Sequence, residues 1–451
     1  MTERKLDLIT TMTALVENKR YATLRDILVT MNAADIAVLF SELEQEVLPL
    51  LFRLLPKELA AETFVEMDSD AQEMLILGFS DSELKEVIDE LYIDDAVDLV
   101  EEMPANVVKR ILKQADPDTR KQINELLKYP EDSAGSIMTT EFVELRPHFT
   151  VADAIKSIRR SGIDKETINT CYVTQPDRKL CGQLSIRAII LAEEDDMVSD
   201  IMEQNVIFVS TLDDQETVAQ RLQKYDLLSV PVVDGEGRLV GIVTIDDAVD
   251  VLQEEATEDI EKMAAITPSD RPYLKTSVLS IYLHRIPWLL LLMISATFTG
   301  IIIMRFEAAL AAQVTLTAFI PMLMDTGGNS GSQSSVTVIR GLALQEIRFR
   351  DILKVIFKEL RVSLLCGLTL AVANFLKLLF LDKVGTQIAA VVCLTLVITV
   401  IVAKLIGCTL PMLAKKIGFD PAVMASPFIT TLVDAISLLT YFQVATLLLG
   451  I

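Results

Sequence analysis

Basic side chains are scarce in this chain: 41 Lys and Arg face 64 Asp and Glu in 451 residues, a formal net charge of −23. Such a deficit excludes nucleic acid as a partner, because phosphate binding needs clustered positive charge. Histidine is scarcer still. His148 and His284 are the chain's two, and neither stands in a catalytic constellation, so no enzyme is expected. Cysteine is limited to Cys171, Cys181, Cys366, Cys393 and Cys408, odd in number, scattered and without a CxxC pair. That excludes a disulfide framework and a thiolate zinc site, and it suits a reducing compartment and a bilayer. The opening MTERKLDLIT lacks an apolar core, so no signal peptide is expected.

Acid is abundant, and it is unevenly placed. Residues 276–451 hold eight acidic and thirteen basic side chains, which leaves 56 acidic and 28 basic in 1–275. The first part is therefore a self-repelling acidic module and the second reads as membrane. An acidic surface of this kind either solubilises the module or takes cations as partners.

Five apolar stretches, about 282–304, 309–339, 360–381, 386–412 and 421–449, are each long enough to cross about 30 Å of hydrocarbon. Basic residues alternate between them. Arg285 precedes the first; Arg340, Arg348, Arg350, Lys354, Lys358 and Arg361 lie between the second and third; Lys415 and Lys416 lie between the fourth and fifth. The positive-inside rule then puts the acidic part in the cytosol and the C-terminus outside.

Two of these stretches are wrong for mere anchors. The second contains DTGGNSGSQSS (325–335), eleven residues without one large apolar side chain. Small residues allow close helix packing; the same run also supplies oxygen ligands and partners for water. The fifth holds Asp434 in SPFITTLVDAISLLTYF, with no Lys or Arg nearby. A charge there costs roughly 2.5–3.5 kcal/mol, so it is either protonated and packed or beside a water-filled path or bound cation. Lys377 and Lys404 are expected near span ends, and Pro321 and Pro427 are expected to bend their helices. Mg²⁺ keeps much of its water and is held through one or two carboxylates, which suits a single Asp434 per chain doubled by a two-fold axis. Thiolate and imidazole are missing nearby, which disfavours Zn²⁺ or Cu⁺. Mn²⁺ and Co²⁺ are not separated from Mg²⁺ by this chemistry.

Residues 131–254 repeat internally. Ser136-Ile137-Met138 recurs as Asp200-Ile201-Met202, and CGQLSI (181–186) recurs as VGIVTI (240–245). Each unit mixes an amphipathic helix with short β runs, one closed by a DGEG turn. This resembles a tandem pair of CBS modules, a fold that often binds adenine nucleotides. Thr244-Ile245-Asp246-Asp247 matches its ribose-binding T-x-x-D, whereas the first unit has Ser185-Ile186-Arg187-Ala188 there. ATP is thus a candidate ligand, with Asp247 and Arg187 as candidate contacts.

Residues 1–130 read as helical. AADIAVLFSELE (33–44) and DDAVDLVEEMPA (94–105) echo each other, with KELAAETFVEM (57–67) as a weaker copy, which suggests a small superhelical stack. An acidic helix is expected over 252–275. Glu255, Glu258 and Asp259 share one of its faces, Asp247 and Asp250 form a similar pair just before it, and Asp94 and Asp98 form a third. Each like-charge pair costs an isolated helix roughly 0.2–0.5 kcal/mol, and a penalty repeated this way points to divalent ions between the faces.

Taken together, PMLMDTGGNSGSQSSVTVIRGLAL (321–344), QEEATEDIEKMAAI and Asp434 resemble the MgtE family of Mg²⁺ transporters over essentially the whole chain. The resemblance implies a multi-domain protein: an all-α superhelical N domain (1–130), an α/β CBS pair (131–252, modules near 136–196 and 199–252), a connecting "plug" helix (253–275) and an α-helical membrane domain with five spans (276–451). It implies a homodimer in the cell membrane that takes up Mg²⁺ through a pore along the two-fold axis. Asp434 matches the pore aspartate, and Gly328 and Asn329 would line the path. Cytosolic Mg²⁺ would close the pore from Glu62, Asp94 and Asp98 in the stack, and from Ser136, Asp214, Glu216, Gln223, Asp226, Asp247 and Asp250 in the CBS pair. Glu255, Glu258 and Asp259 in the plug and Asp420 before the last span complete the set. Ser136 stands where a glycine carbonyl often serves, and Gln223 would contribute its backbone. An ion-coupled secondary transporter of Mg²⁺, Co²⁺ or Mn²⁺ is the nearest rival, and a membrane-tethered CBS nucleotide sensor is a more distant one.

Overall fold

The computed structural model describes residues 2–44, 46–269, 273–274, 276–424 and 426–450. The chain divides into two compact units, Met1–Leu252 and Gln253–Ile451.

The first unit opens with short helices that pack on their next-but-one neighbours: Ala33–Ser41 on Lys57–Val65, that on Asp81–Ile88, and that on Ala105–Gln114. Each is too short to be stable alone, and the stack supplies the burial that propensity cannot. Caps stop the helices from merging. Ser80 and Glu83 form a capping box, and Asp68 and Asp116 accept first-turn N–H groups. Leu24, Ile36, Phe64, Leu75, Val97 and Ile111 form a continuous core along the stack. One of these helices, α1 (Ile93–Glu102), is amphipathic, with Val97 buried and Asp98 exposed.

Two small sheets of identical topology follow, in which a parallel pair is extended by an antiparallel hairpin. The first is β1 (Phe142–Leu145), β2 (Thr167–Thr174) and β3 (Leu180–Ser185); the second is β4 (Val209–Ser210), β5 (Ser229–Val233) and β6 (Leu239–Thr244). In the second hairpin Gly237 adopts a left-handed φ of 77°, while Asp234 Oδ1 accepts from the N–H groups of Glu236 and Arg238, each at 2.9 Å. The Tyr172 hydroxyl lies 2.7 Å from Ser229 Oγ, joining the modules across a small core of Phe142, Tyr172, Leu239 and Ile242.

Helix α2 (Ile245–Met263) begins directly at the end of β6 and crosses the unit boundary. It is shorter than the acidic helix expected over 252–275. Ala265, at φ 55°, reverses the chain, and Ile266 N–H and Ala265 N–H bond back to Glu261 O and Lys262 O, a closed C-terminal cap. Pro268 follows, which cannot continue a helix. The later part of that expectation, residues 270–272 and 275, lies outside the described residues.

Among the described residues, the second unit contains five long helices: α3 (Val278–Arg305), α4 (Ile320–Ala343), α5 (Ile352–Phe380), α6 (Thr386–Lys416) and α7 (Ser426–Leu449). Helix α6 is central, packing on α4, α5 and α7, while α3 packs on α7. Among the described residues, four segments are apolar and long enough to cross a membrane: Val278–Arg305, Phe349–Phe380, Thr386–Lys416 and Ala422–Leu449. Helix α4 is long enough, at about 36 Å, but its polar run keeps it out of that group. The expected second span, 309–339, is also displaced. Residues 307–319 form a short helix and a 3₁₀ turn, and the long helix starts only at Ile320. Pro321 and Pro427 do not bend their helices as expected; each is the second residue, where a missing N–H costs nothing. The prolines inside long helices are Pro287 and Pro411.

Candidate ion sites in the two units

Helix α4 has two unlike faces. Gly327, Gly328, Ser330, Gly331, Ser334 and Ser335 are buried. An added Cβ would come within 2.7 Å of Thr399 at Gly327, 2.8 Å of Thr430 at Gly328 and 2.8 Å of Ile429 at Gly331. A Cβ on Gly407 would collide with the carbonyl of Gly331, so α4 and α6 touch backbone to backbone there. The expected close packing is therefore realised on one face. Asp325, Asn329, Gln333, Val336 and Arg340 are exposed along the other face, with Ser332 half-buried among them. Their spacing puts them within about one third of the helix circumference. Gly328 does not belong with Asn329 on that stripe. Adjacent helical residues diverge by about 100°, and Gly328 is consumed by packing on α7.

Asp434 lies near the middle of α7, half-buried, with Asp325 of α4 close enough to interact electrostatically. Asp434 thus has a second carboxylate close to it, on the neighbouring helix. Lys377 is at a helix end, paired with Asp382 at 2.8 Å. Lys404, expected near an end, is instead in mid-helix and 5% exposed. Its Nζ lies 3.5 Å from Ser334 Oγ, which donates to Glu359 Oε2 at 2.6 Å.

At the other end of α4, Ile339 packs with Ala422 and with Met263 of α2. Three of the expected sensing residues converge beside this contact. Lys262 Nζ lies 2.5 Å from Glu258 Oε1 and 2.8 Å from Asp420 Oδ2. Asp259 is raised above the usual carboxylate range by burial and then by Asp420. A tethered ammonium therefore sits where a divalent ion was expected. Lys262 escaped notice in the sequence because its role depends on Asp420, 158 residues away. Asp420 also caps the following turn through Ala422 N–H at 2.8 Å, and Glu255 is half-buried on the helix between.

In the first unit, Asp94 and Asp98 of α1 lie close to Asp247 at the start of α2. The cluster is larger than foreseen, because Asp95, Asp246 and Glu166 join it. Asp94 is 8% exposed, and its Oδ1 is a buried oxygen with no hydrogen-bond partner. Burial, and then Asp95, raises its pKa to about 7. Asp95 reaches about 7 through burial and then Asp247. Glu166 reaches about 8 through burial and then Asp94, and its Oε2 is likewise buried without a partner. Asp247 rises to about 7 through burial and Asp94, although Thr244 Oγ1 donates to it at 2.6 Å. Asp98 keeps contact with solvent and is pushed the same way by desolvation and then by Asp94. Asp250 is raised by desolvation and then Asp246. Glu166 had no signal of its own; it arrives from the start of β2, adjacent to α1 only in the fold.

The remaining expected residues stand apart from this cluster. Glu62 is exposed and acts on Tyr92. Asp214 and Asp226 occupy the two ends of the helix Gln215–Tyr225, Asp214 accepting from Glu216 N–H at 3.0 Å and Asp226 in a left-handed cap at φ 52°. Glu216 accepts from Gln220 at 2.9 Å, and Gln223 is exposed on the same helix. Ser136 is buried, its hydroxyl donating to Ser133 O at 2.9 Å. Arg187 is exposed just after Ser185, which caps the helix Ile186–Leu191. Among the described residues no three acidic, Cys or His side chains converge as a compact ligand set. The donor chemistry fits a hydrated divalent ion held by one or two carboxylates, since all of it is oxygen.

Comparison with known proteins matches these parts in order. A family model described as the MgtE intracellular N domain matches residues 31–132, CBS domain models match 134–195 and 198–254, and a divalent cation transporter model matches 320–444. The chain is 38% identical to the magnesium transporter MgtE of Thermus thermophilus over 434 residues, covering 94% of this chain and 95% of that one. It is 33% identical to the magnesium transporter MgtE of Bacillus subtilis over 444 residues, 98% and 97% of the two chains. Among solved structures it resembles the cytosolic domain of the Mg²⁺ channel MgtE in complex with ATP, with a TM-score of 0.52 and 36% identity over 54% of this chain and 99% of that one. With relatives this similar along nearly the full length, the chain belongs to the MgtE family of magnesium transporters.

Proposed function

We propose that this protein conducts Mg²⁺ across the cell membrane as a homodimer, along a path lined by α4 and α7 with Asp434 at its centre, and that cytosolic Mg²⁺ closes it. The observation that carries this reading is the exposed polar stripe of α4. Helices α3 and α5 expose Leu289, Phe298, Leu365 and Leu368, the chemistry of a lipid-facing surface. Asp325, Asn329 and Gln333 cannot face hydrocarbon without large cost. A second copy enclosing water over that stripe satisfies them. All five long helices then span, with residues 1–275 in the cytosol and the C-terminus outside. The test is Mg²⁺ flux through the purified protein in liposomes. Asn329→Leu is expected to block it while dimers persist; normal conduction by that variant would make the stripe a packing surface.

Closure rests on two groups of carboxylates. In the first unit, Mg²⁺ replaces protons among Asp94, Asp98 and Asp247. In the second, Glu255, Glu258, Asp259 and Asp420 hold the end of α2 against α4, with Lys262 supplying part of the attraction when Mg²⁺ is low. Lys262→Gln is expected to raise flux at low cytosolic Mg²⁺ by up to about fivefold, since a partly exposed ion pair is worth roughly 0–1 kcal/mol. Unchanged flux at every Mg²⁺ concentration would remove Lys262 from the gate. Glu62, Ser136, Asp214, Glu216, Gln223, Asp226 and Asp250 are assigned to further Mg²⁺ contacts made between elements or copies. ATP is assigned to the CBS pair through Asp247 and Arg187, in keeping with the ATP complex of the related cytosolic domain.

A second reading, coupled transport, draws on the buried Lys404 and the half-buried Glu359, because ionisable groups inside a membrane domain often carry coupling. Uptake that follows an imposed proton gradient rather than the Mg²⁺ gradient alone would favour it.

A further inference from the structure

Helix α4 carries a second polar feature, on the side away from its exposed stripe. Ser334 is 2% exposed, and its hydroxyl joins three helices: it donates to Glu359 of α5 at 2.6 Å and faces Lys404 of α6 at 3.5 Å. A lysine buried at 5% exposure in mid-helix is expensive in this setting. Simple anchoring would use apolar side chains, as Val338, Leu342, Cys408 and Met412 do about one turn further along the same helices.

What such a joint can do follows from its neighbours. Between Gly327 and Ser335, α4 has no large side chain to key it into α6 or α7, and Gly331 meets Gly407 backbone to backbone. Small faces permit close approach but resist rotation weakly, because little interlocks. A buried polar joint resists it strongly, since turning the helix strands a carboxylate and an ammonium without their shared hydroxyl. A turn by one residue, about 100°, would also carry Asp325, Asn329 and Gln333 off the exposed stripe.

We propose that Glu359 and Lys404 are positioning residues that, through Ser334, fix the rotation of α4 so that its polar stripe faces the ion path. This inference rests on the conduction reading above.

The test compares variants of the full-length protein in liposomes by Mg²⁺ uptake, and in detergent by melting temperature and dimer content. Lys404→Met alone should lower both flux and melting temperature, because the half-buried Glu359 loses the nearby ammonium that Ser334 joins to it. Glu359→Leu with Lys404→Met should recover the melting temperature and the dimer, yet its maximal uptake should stay about tenfold or more below wild type, as expected of a misplaced site. Ser334→Ala, which deletes only the joint, should lower maximal uptake with the half-saturating Mg²⁺ unchanged, and Lys404→Arg should retain most activity. Wild-type uptake by the double variant or by Ser334→Ala overturns the positioning role; if the double variant fails to assemble, Ser334→Ala decides alone. Asp434→Ala in the same assay separates the two claims. If it conducts normally, the path itself is wrong, whereas an inactive Asp434→Ala beside a fully active Ser334→Ala refutes only the joint.

Discussion

Asp434→Ala is expected to reduce Mg²⁺ uptake to less than about a tenth of wild type, a rise of about 1.4 kcal/mol or more in the barrier, with dimer assembly intact. Asp434 is half-buried in mid-helix, with Asp325 as its acidic neighbour and no basic side chain within its own helix. A carboxylate so placed is a net liability unless a cation uses it. Alanine removes the liability, so stability should hold or rise while conduction falls. Asp434→Asn separates charge from shape: if charge attracts the ion, Asn should be nearly as poor as Ala. Uptake at the wild-type rate by well-assembled Asp434→Ala protein would end the assignment of this helix to the path.

The acidic cluster of the first unit should make that unit sensitive to pH and to Mg²⁺ in opposite ways. Asp94, Asp95 and Asp247 are raised to about 7 and Glu166 to about 8, all by burial first and neighbouring carboxylates next. Their folded pKa values exceed the unfolded ones, so the folded arrangement binds the extra protons. Stability is therefore full near pH 4 and declines as pH rises through about 7 to 8. Without Mg²⁺, residues 1–252 should melt lower and be cleaved faster by protease at pH 8 than at pH 6. Millimolar Mg²⁺ should repair this at pH 8 and do little at pH 6, where protons already occupy the cluster. The Mg²⁺ needed for half-protection should rise by about tenfold per displaced proton for each pH unit lowered between 7 and 6. Asp94→Asn with Asp98→Asn and Asp247→Asn should flatten both dependences and leave channel activity insensitive to cytosolic Mg²⁺ over the range that closes wild type. Deleting 1–130 should raise the Mg²⁺ needed for closure, because the carboxylates around Asp259 and Asp420 persist. Equal closing concentrations in wild type, triple variant and truncation would reduce these faces to solvated surface.

Much of this was legible along the chain because the physics is local. Apolar length, the T-x-x-D step and a polar run inside an apolar helix depend on composition and spacing over at most about thirty residues, and the charge asymmetry is a plain count along the chain. Those features sufficed for the family resemblance, the helical stack, the paired modules and Asp434. Other properties needed the fold. Whether Gly328 or Asn329 faces the open side depends on which flank of α4 meets Thr430. Pro321 starts its helix rather than bending it because the preceding residues form a 3₁₀ turn, and Pro427 likewise stands second in its helix. Glu166 joins Asp94 only because β2 begins beside α1, and Lys262 bridges Glu258 to Asp420 only once distant segments meet. Lys404 looks like an ordinary charge near a span end until three helices bring it, with Glu359, to one serine hydroxyl. Residue type and period are set by the chain itself; which charges are desolvated, and by whom they are faced, is decided by packing, because burial and proximity belong to neighbours far apart in sequence.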